Sequence, residues 1–152
     1  MTNRSPGHEA YEDQKGTSAQ QWAELAHALI ESKGPDGLAE VLRDDFVQES
    51  RRVTSLMVRR EGMLGATRTM RDMGLHVSGL AVAVAGDRCL LTRRSYTSTG
   101  SIVELLAVSI WDEDGRLVRL IEFEVDALDA ALVELARVAG EPAEVLPLAP
   151  ED

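Results

Sequence analysis

Apolar residues recur at helical spacing in three segments of the first half of the chain. The first segment begins where Thr17 or Ser18 can cap a helix. It carries an apolar stripe from Trp22 to Ile30 and ends at Gly34. The second segment reads DGLAEVLRD and the third reads RREGMLGATRTMRDMG, each with the same period. The pattern predicts three helices and places the methionines of the third one in the core.

In most of the remaining chain, apolar and polar residues alternate, which is the period of a β-strand. The segment FVQESRRVT predicts one strand between the second and third helices. After Gly74, turn signals at 86–87, 99–100 and 113–115 separate four more apolar runs. We therefore predict four consecutive antiparallel strands after the third helix.

The segment ALDAALVELARVA returns to helical spacing, and Asp126 can cap it. The order of elements is typical of an α+β fold in which helices cover one face of a curved, mostly antiparallel sheet. Residues 17–139 are expected to form this domain. Residues 1–16 are expected to be a flexible leader, and residues 140–152 a flexible, acidic, proline-rich tail.

Charge and composition exclude several classes of function. The chain has 152 residues, with 26 acidic against 16 basic ones and a formal net charge of -10, so it lacks the basic surface of a nucleic-acid-binding protein. It contains no apolar run long enough to span a membrane, so we predict no membrane partner. Its one cysteine, Cys89, lies in an apolar run, which fits a buried reduced thiol and a cytoplasmic location.

Sequence motifs for metals and cofactors are missing. His8, His27 and His76 fall in a tail, a helix and the start of a strand, which is not the spacing of metal ligands. The chain has neither a G-x-G-x-x-G segment nor a phosphate-binding P-loop. We therefore expect no metal and no cofactor.

Three segments together resemble a known superfamily. RDDFVQES at the first strand, WDEDGRLVRLIEFE at the last hairpin and DALDAALVEL at the final helix are similar to the SnoaL-like and nuclear transport factor two-like superfamily, over residues 17 to about 138. The resemblance implies a sheet wrapped as a cone around a pocket, with three helices on the concave side plus a C-terminal helix. Members include ketosteroid isomerases, polyketide cyclases, epoxide hydrolases, dehydratases and noncatalytic binding or dimerisation modules, so the fold alone does not choose a function.

The resemblance also assigns isomerase positions in this chain. The proton-shuttling aspartate falls at Ser50, the oxyanion-binding aspartate at Ala107 and the tyrosine of the first helix at Ala26. Proton abstraction beside a carbonyl needs a base and a donor for the oxyanion, and none of these three residues supplies either at the required position. Steroid isomerase activity through these positions is therefore not expected.

Polar residues elsewhere on the predicted pocket face could supply the missing acid/base groups. In RLVRLIEFEV, alternation puts Glu122 and Glu124 on one face, and the resemblance turns that face toward the pocket. Their carboxylates could pair with arginines or act as general acid and base. The candidate site residues are Glu122 and Glu124 as catalytic groups, and Gln48, Ser50, Arg52, Arg94 and Tyr96 as ligand-binding groups.

Two functional classes follow. The first is a noncatalytic small-molecule-binding or dimerisation module, such as a regulatory domain of a bacterial protein, which binds a hydrophobic or anionic small molecule. A homodimer through the sheet is expected for it, because an apolar outer face needs a partner. That face comprises Leu106, Val108, Ile110, Ile121 and Phe123. The second class is a small enzyme, namely a cyclase, dehydratase, isomerase or hydrolase, that acts on a hydrophobic metabolite with Glu122 or Glu124 as acid/base.

Overall fold

The computed structural model describes residues 16–52 and 56–147. Four helices and seven strands form this described part. The helices are α1 (Ser18–Lys33), α2 (Pro35–Val41), α3 (Arg60–Asp72) and α4 (Leu128–Ala139). The strands are β1 (Leu42–Ser50), β2 (Met57–Arg59), β3 (His76–Ala85), β4 (Cys89–Ser98), β5 (Ser101–Trp111), β6 (Leu117–Glu124) and β7 (Glu144–Val145).

The strands form one curved sheet in the order β2-β1-β6-β5-β4-β3-β7. β3 to β6 are joined as consecutive antiparallel neighbours, which confirms the four predicted strands. β1 pairs with β6 in parallel, so the two distant parts of the chain meet in the middle of the sheet. The α+β class and the curved sheet predicted from the sequence are both confirmed. No helix within 16–52 and 56–147 has the length and apolar character to cross a membrane.

The two short edge strands were not predicted. β2 pairs with β1, and β7 pairs with β3 at Ala83 and Val84. The folded part thus continues past the predicted boundary at residue 139. Most of the predicted leader, residues 1–15, and the last part of the predicted tail, residues 148–152, lie outside the described residues.

The start of α1 is tied to the sheet by hydrogen bonds. Thr17 caps the helix in a reciprocal capping box with Gln20, which selects it over Ser18 as the cap. The Ser18 N–H instead donates to Asp87 Oδ1 at 2.9 Å, and the Ala19 N–H donates to the Asp87 carbonyl at 3.0 Å. The Ser18 hydrogen bonds hold the pKa of Asp87 below its usual value. This turn between β3 and β4 therefore fixes where α1 crosses the sheet.

Helices α1, α2 and α3 cover the concave face of the sheet. Phe46, Leu90 and Leu120 project from the strands into this core. At its narrow end the rings of Trp22 and Trp111 lie 6.4 Å apart between centroids. Gly115 has φ +83°, and a Cβ there would lie 2.7 Å from Trp22 Nε1, so the turn before β6 requires glycine. Tight packing closes this end of the cone.

Helix α4 covers the opposite, outer face. Ala131 and Leu135 on α4 are fully buried against strand residues that include Leu106, Val108 and Phe123. The predicted apolar outer face is therefore real, and the chain's own C-terminal helix packs on it. This face does not need a second copy to bury its apolar residues, and the homodimer through the sheet stays a prediction.

Element ends differ from the prediction in three places. α2 ends at Val41 and the chain becomes extended at Leu42, earlier than predicted. Asp126 does not cap the last helix, because Ala127 occupies the cap position and its N–H donates to the Glu124 carbonyl at 3.0 Å. The methionine stripe of α3 is only partly in the core, since Met73 follows the last helical turn and is 67% exposed. The last residues of the predicted first strand, Val53 and Thr54, lie outside the described residues.

Candidate functional site

A row of mostly short side chains crosses the middle of the concave face. Thr92, Ala107, Glu122 and Ser50 are successive partners on β4, β5, β6 and β1. Partners across neighbouring strands project to the same side of a sheet, so these four side chains form a continuous row. Ala107 is 1% exposed and Glu122 is 8% exposed. The row therefore places a buried carboxylate beside an apolar floor.

The next row toward the open end is more polar. Arg94, Leu105 and Glu124 are partners on β4, β5 and β6. Arg52 Nε donates to Glu124 Oε1 at 2.5 Å, which places this arginine and its partner at the end of the row. Tyr96 follows one step further along β4, opposite Val103, which is 47% exposed. Exposure thus rises from the narrow end of the cone to its mouth.

Glu122 is the deepest carboxylate of these two rows. Its backbone carbonyl accepts a hydrogen bond from the Arg51 N–H at 2.8 Å, which fixes the strand. No hydrogen bond or ion pair reaches its carboxylate from the described residues. Its oxygens are not fully enclosed, since Arg60 Nε is the one fully buried side-chain N or O atom without a hydrogen-bond partner among the described residues. Glu122 is therefore a largely buried residue whose carboxylate can still reach a ligand.

Arg94 is half-buried on the same face. Within the described part of the chain, its guanidinium also has no hydrogen bond or ion pair. Its neighbour Arg93 points to the outer face and binds Glu104 through two nitrogens, at 2.8 and 3.2 Å. The register shift between β3 and β4 lies in β3, between Ala81 and Ala83, so the alternation of β4 is preserved. This geometry gives Arg94, rather than Arg93, to the concave side.

The other predicted site residues also lie on or beside this face. Gln48 is the partner of Leu120, one step deeper than Ser50. The Ser50 hydroxyl accepts from the Arg52 N–H at 3.3 Å. Ser50 and Glu122 are thus neighbours on adjacent strands, and Arg52 and Glu124 form an ion pair. Arg94 and Tyr96 lie on β4 and, in the described part of the chain, form no hydrogen bond or ion pair with either of these pairs. Which of these groups act on a ligand or substrate stays a prediction.

The three positions that the resemblance assigns to an isomerase site lie close to the concave core but carry other side chains. Ala26 and Ala107 are both buried in the concave core, and Ser50 lies in the row with Glu122. The structure therefore places all three residues against the same core. None of them carries a carboxylate or phenol, so these three positions do not supply the acid/base groups of the isomerases; Glu122 and Glu124 as acid/base groups stay a prediction.

A charged network on the outer face was not predicted as a unit. Glu134 on α4 accepts from Arg51 Nη2 at 2.8 Å and from Arg137 Nε at 2.7 Å. Glu49 accepts from Arg51 Nε at 2.6 Å and from Arg119 Nη2 at 2.7 Å. The sequence carried two signals, namely the alternation that turns Glu49 and Arg51 outward and the three-residue spacing of Glu134 and Arg137 on the helix. Nothing in the sequence showed that these two pairs would contact each other.

Ion pairs in this network attach α4 to the sheet. The Glu134 side chain is 6% exposed, and hydrogen bonds from Arg137 and Arg51 lower its pKa to about 2. Hydrogen bonds from Arg119 and Arg51 hold the pKa of Glu49 below its usual value. The Arg51 guanidinium also lies 5.8 Å from the centre of the Phe123 ring, a cation–π contact. The network gives a structural role to Glu49 and Arg51, the charged residues at the end of the first strand that face outward.

Two surface cavities lie away from the concave rows. One, of about 520 Å³, is lined by Arg43, Asp44, Asp45, Asp112, Asp114 and Arg116. The other, of about 280 Å³, is lined by Ser78, Gly79, Leu80, Arg93, Ser95 and Glu104 on the outer face. Among the described residues, no group of three or more His, Cys, Asp or Glu side chains is arranged to hold a metal ion.

No protein-family model matches the sequence, and no curated protein matches it. Solved structures match its fold. An LEH-like epoxide hydrolase from Mycobacterium tuberculosis is 21% identical, with 81% of this chain and 91% of that one covered and a TM-score of 0.55. A Δ5-3-ketosteroid isomerase from Mycobacterium sp. is 15% identical, with coverages of 75% and 96% and a TM-score of 0.57.

A third similar structure is a Mycobacterium tuberculosis protein in complex with estradiol-17beta-hemisuccinate. It is 11% identical, with 72% of this chain and 96% of that one covered and a TM-score of 0.56. At these identities the likeness shows the fold alone. It confirms the cone-shaped α+β fold that the resemblance to the SnoaL-like and nuclear transport factor two-like superfamily predicted.

Proposed function

We propose that this chain is a noncatalytic module that binds a small, largely apolar molecule on the concave face of its cone. The observation that carries the proposal is Arg94, a guanidinium without a partner in the described residues, beside the apolar wall of Leu105 and Ala107. Such a wall with few convergent polar groups is typical of small-molecule sites. The lack of an acid at Ser50, Ala107 and Ala26 favours binding over isomerase chemistry.

Entry to the face is expected beneath α3. None of the residues of α3 is fully buried, whereas α1 and α2 both contribute buried residues to the concave core. An element with few buried contacts separates from the rest of a fold at low cost in free energy. Met63 and Leu64 of α3 pack on the concave core, and a ligand would take their place.

A titration with a steroid acid tests the proposal. Isothermal titration calorimetry with estradiol-17beta-hemisuccinate is expected to give saturable binding at one site. Thr92→Leu adds bulk to the concave row and is expected to weaken binding by about tenfold or more, because it occupies the floor on which the ligand lies. Ser95→Leu adds a leucine to the outer face of the same strand and serves as the matched control. No saturable binding, or equal loss in both variants, would contradict the proposal.

A small enzyme is the second candidate, and Glu122 favours it. A buried carboxylate without a partner in the described residues is available for proton transfer, whereas Glu124 is neutralised by Arg52 at 2.5 Å. Such an enzyme would be a cyclase, dehydratase, isomerase or hydrolase acting on a hydrophobic metabolite. Turnover of 1,2-epoxydodecane that Glu122→Gln abolishes, with the melting temperature unchanged or raised, is the supporting result. Equal turnover by the variant would remove Glu122 from the reaction.

A further inference from the structure

We propose that the concave face holds an amphipathic molecule in one orientation, with its anionic group on Arg94 at the mouth and a hydrogen-bond donor on Glu122 in the interior. This inference rests on the proposed binding function and adds the chemical class and direction of the ligand.

The charges of the concave face leave one acid and one base for a ligand. Four of its predicted site residues are charged, namely Arg52, Arg94, Glu122 and Glu124. Arg52 neutralises Glu124 directly at 2.5 Å. Glu122 and Arg94 have no such partner among the described residues. The two charges thus stand free at different depths of one surface.

An apolar surface separates these two groups. Glu122 lies on β6 and Arg94 lies on β4, with β5 between them. The β5 neighbour of Glu122 is Ala107, and the β5 neighbour of Arg94 is Leu105. Two strand spacings and one side-chain repeat along the strand put their Cα atoms roughly 12 Å apart. Ala107 and Leu105, between them, are 1% and 3% exposed. A molecule that spans the gap therefore needs an apolar middle and two polar ends.

The chemistry of each end sets the direction. An ionised carboxylate only accepts hydrogen bonds and repels another anion, so the inner end of the ligand has to carry a hydroxyl or an N–H. A guanidinium only donates, and it binds a carboxylate more strongly than a neutral oxygen. An entirely apolar ligand would bury both groups without partners and lose affinity for that reason. A hydroxylated carboxylic acid satisfies both ends.

Three C12 probes separate the two contacts. 12-Hydroxydodecanoic acid has both polar groups, dodecanoic acid lacks the hydroxyl and 1-dodecanol lacks the carboxylate. The hydroxy acid is expected to bind most tightly. Arg94→Gln is expected to weaken both acids by about tenfold or more and to leave 1-dodecanol nearly unchanged, since it removes a charge-assisted hydrogen bond. Arg93→Gln, one residue away on the outer face, is the matched control and is expected to change no affinity.

Glu122→Leu tests the inner contact. This variant is expected to abolish the preference for 12-hydroxydodecanoic acid over dodecanoic acid, about tenfold in the unmodified protein, while it retains the dependence on Arg94. If the probes bind but the hydroxyl preference persists in Glu122→Leu, or if Arg94→Gln weakens 1-dodecanol as much as the acids, the orientation is wrong and the binding function stands. If none of the three probes binds and estradiol-17beta-hemisuccinate also fails, both proposals fall.

Discussion

Replacing Glu134 by glutamine is expected to loosen α4 in a way that depends on pH. The variant keeps the size of the side chain but replaces one of the two oxygens that accept hydrogen bonds from Arg51 and Arg137 with an NH2 donor. It removes the charge that both arginines hold in the native protein. Since the side chain is only 6% exposed, water does not replace what is lost.

The pKa of Glu134 sets the magnitude. It is lowered from 4.5 to about 2 by hydrogen bonds from Arg137 first and Arg51 next, against the opposing effect of burial. That difference corresponds to roughly 3 kcal/mol of unfolding free energy. Arg137 is 59% exposed, and screening by water reduces its contribution. We therefore expect Glu134→Gln to lower the free energy of unfolding at pH 7 by about 2 kcal/mol.

The sign of the pH dependence follows from the direction of the shift. A carboxyl whose pKa is lower in the folded than in the unfolded state stabilises the fold above the unfolded value of 4.5. This stabilisation is lost as the pH falls from there to about 2, because the native protein then has to bind the proton too. The difference between the two proteins should accordingly be constant from pH 7 to about pH 5 and shrink below it.

Urea unfolding followed by tryptophan fluorescence at pH 7, 5, 4 and 3 measures this difference. The control is Glu40→Gln, which breaks an exposed pair with Lys33 at 3.0 Å and is expected to cost less than about 1 kcal/mol at every pH. A Glu134→Gln effect no larger than that of the control, or one that stays the same down to pH 3, would refute the reasoning.

Two further outcomes are expected at other positions. Thr17→Ala should lower the free energy of unfolding by about 1 kcal/mol, because it removes the side-chain cap of α1, and Thr17→Ser should restore it; equal urea midpoints for all three proteins would contradict this. Burial raises the pKa of the Cys89 thiol, so labelling by a thiol-reactive disulfide at pH 8 should be slow in the native protein and rapid in urea. Rapid labelling of the native protein would show that this part of the outer core opens.

Local periodicity predicted the elements well where each residue repeats the geometry of the last. From Ile121 to Phe123, successive residues do project to opposite faces, as the sequence indicated. Leu117 breaks this rule, because a register shift between Ile110 and Trp111 turns it into the concave core. A β-bulge depends on the partner strand, which the alternation of one strand does not contain.

The candidate site was predictable only in part, for the same reason. Alternation placed Glu122 and Arg94 on one face, because each lies in a regular strand. It could not show that Arg52 binds Glu124 across 72 residues of sequence, so that Glu122 has no counter-charge among the residues that the structure describes. The Glu134 contact with Arg51 spans 83 residues and was missed entirely. Pairings of this range depend on the assembled fold rather than on any local pattern.

The parallel pairing of β1 with β6 determines when the sheet can be completed during protein synthesis. β1 is made early, yet its parallel partner β6 emerges only after α3 and four further strands have been translated. Until then the apolar Phe46 side of β1 has no sheet to pack on. Pairing across such a distance is slow because the intervening chain has to be ordered first. The nascent chain is therefore most vulnerable to aggregation and to chaperone capture just before β6 leaves the ribosome.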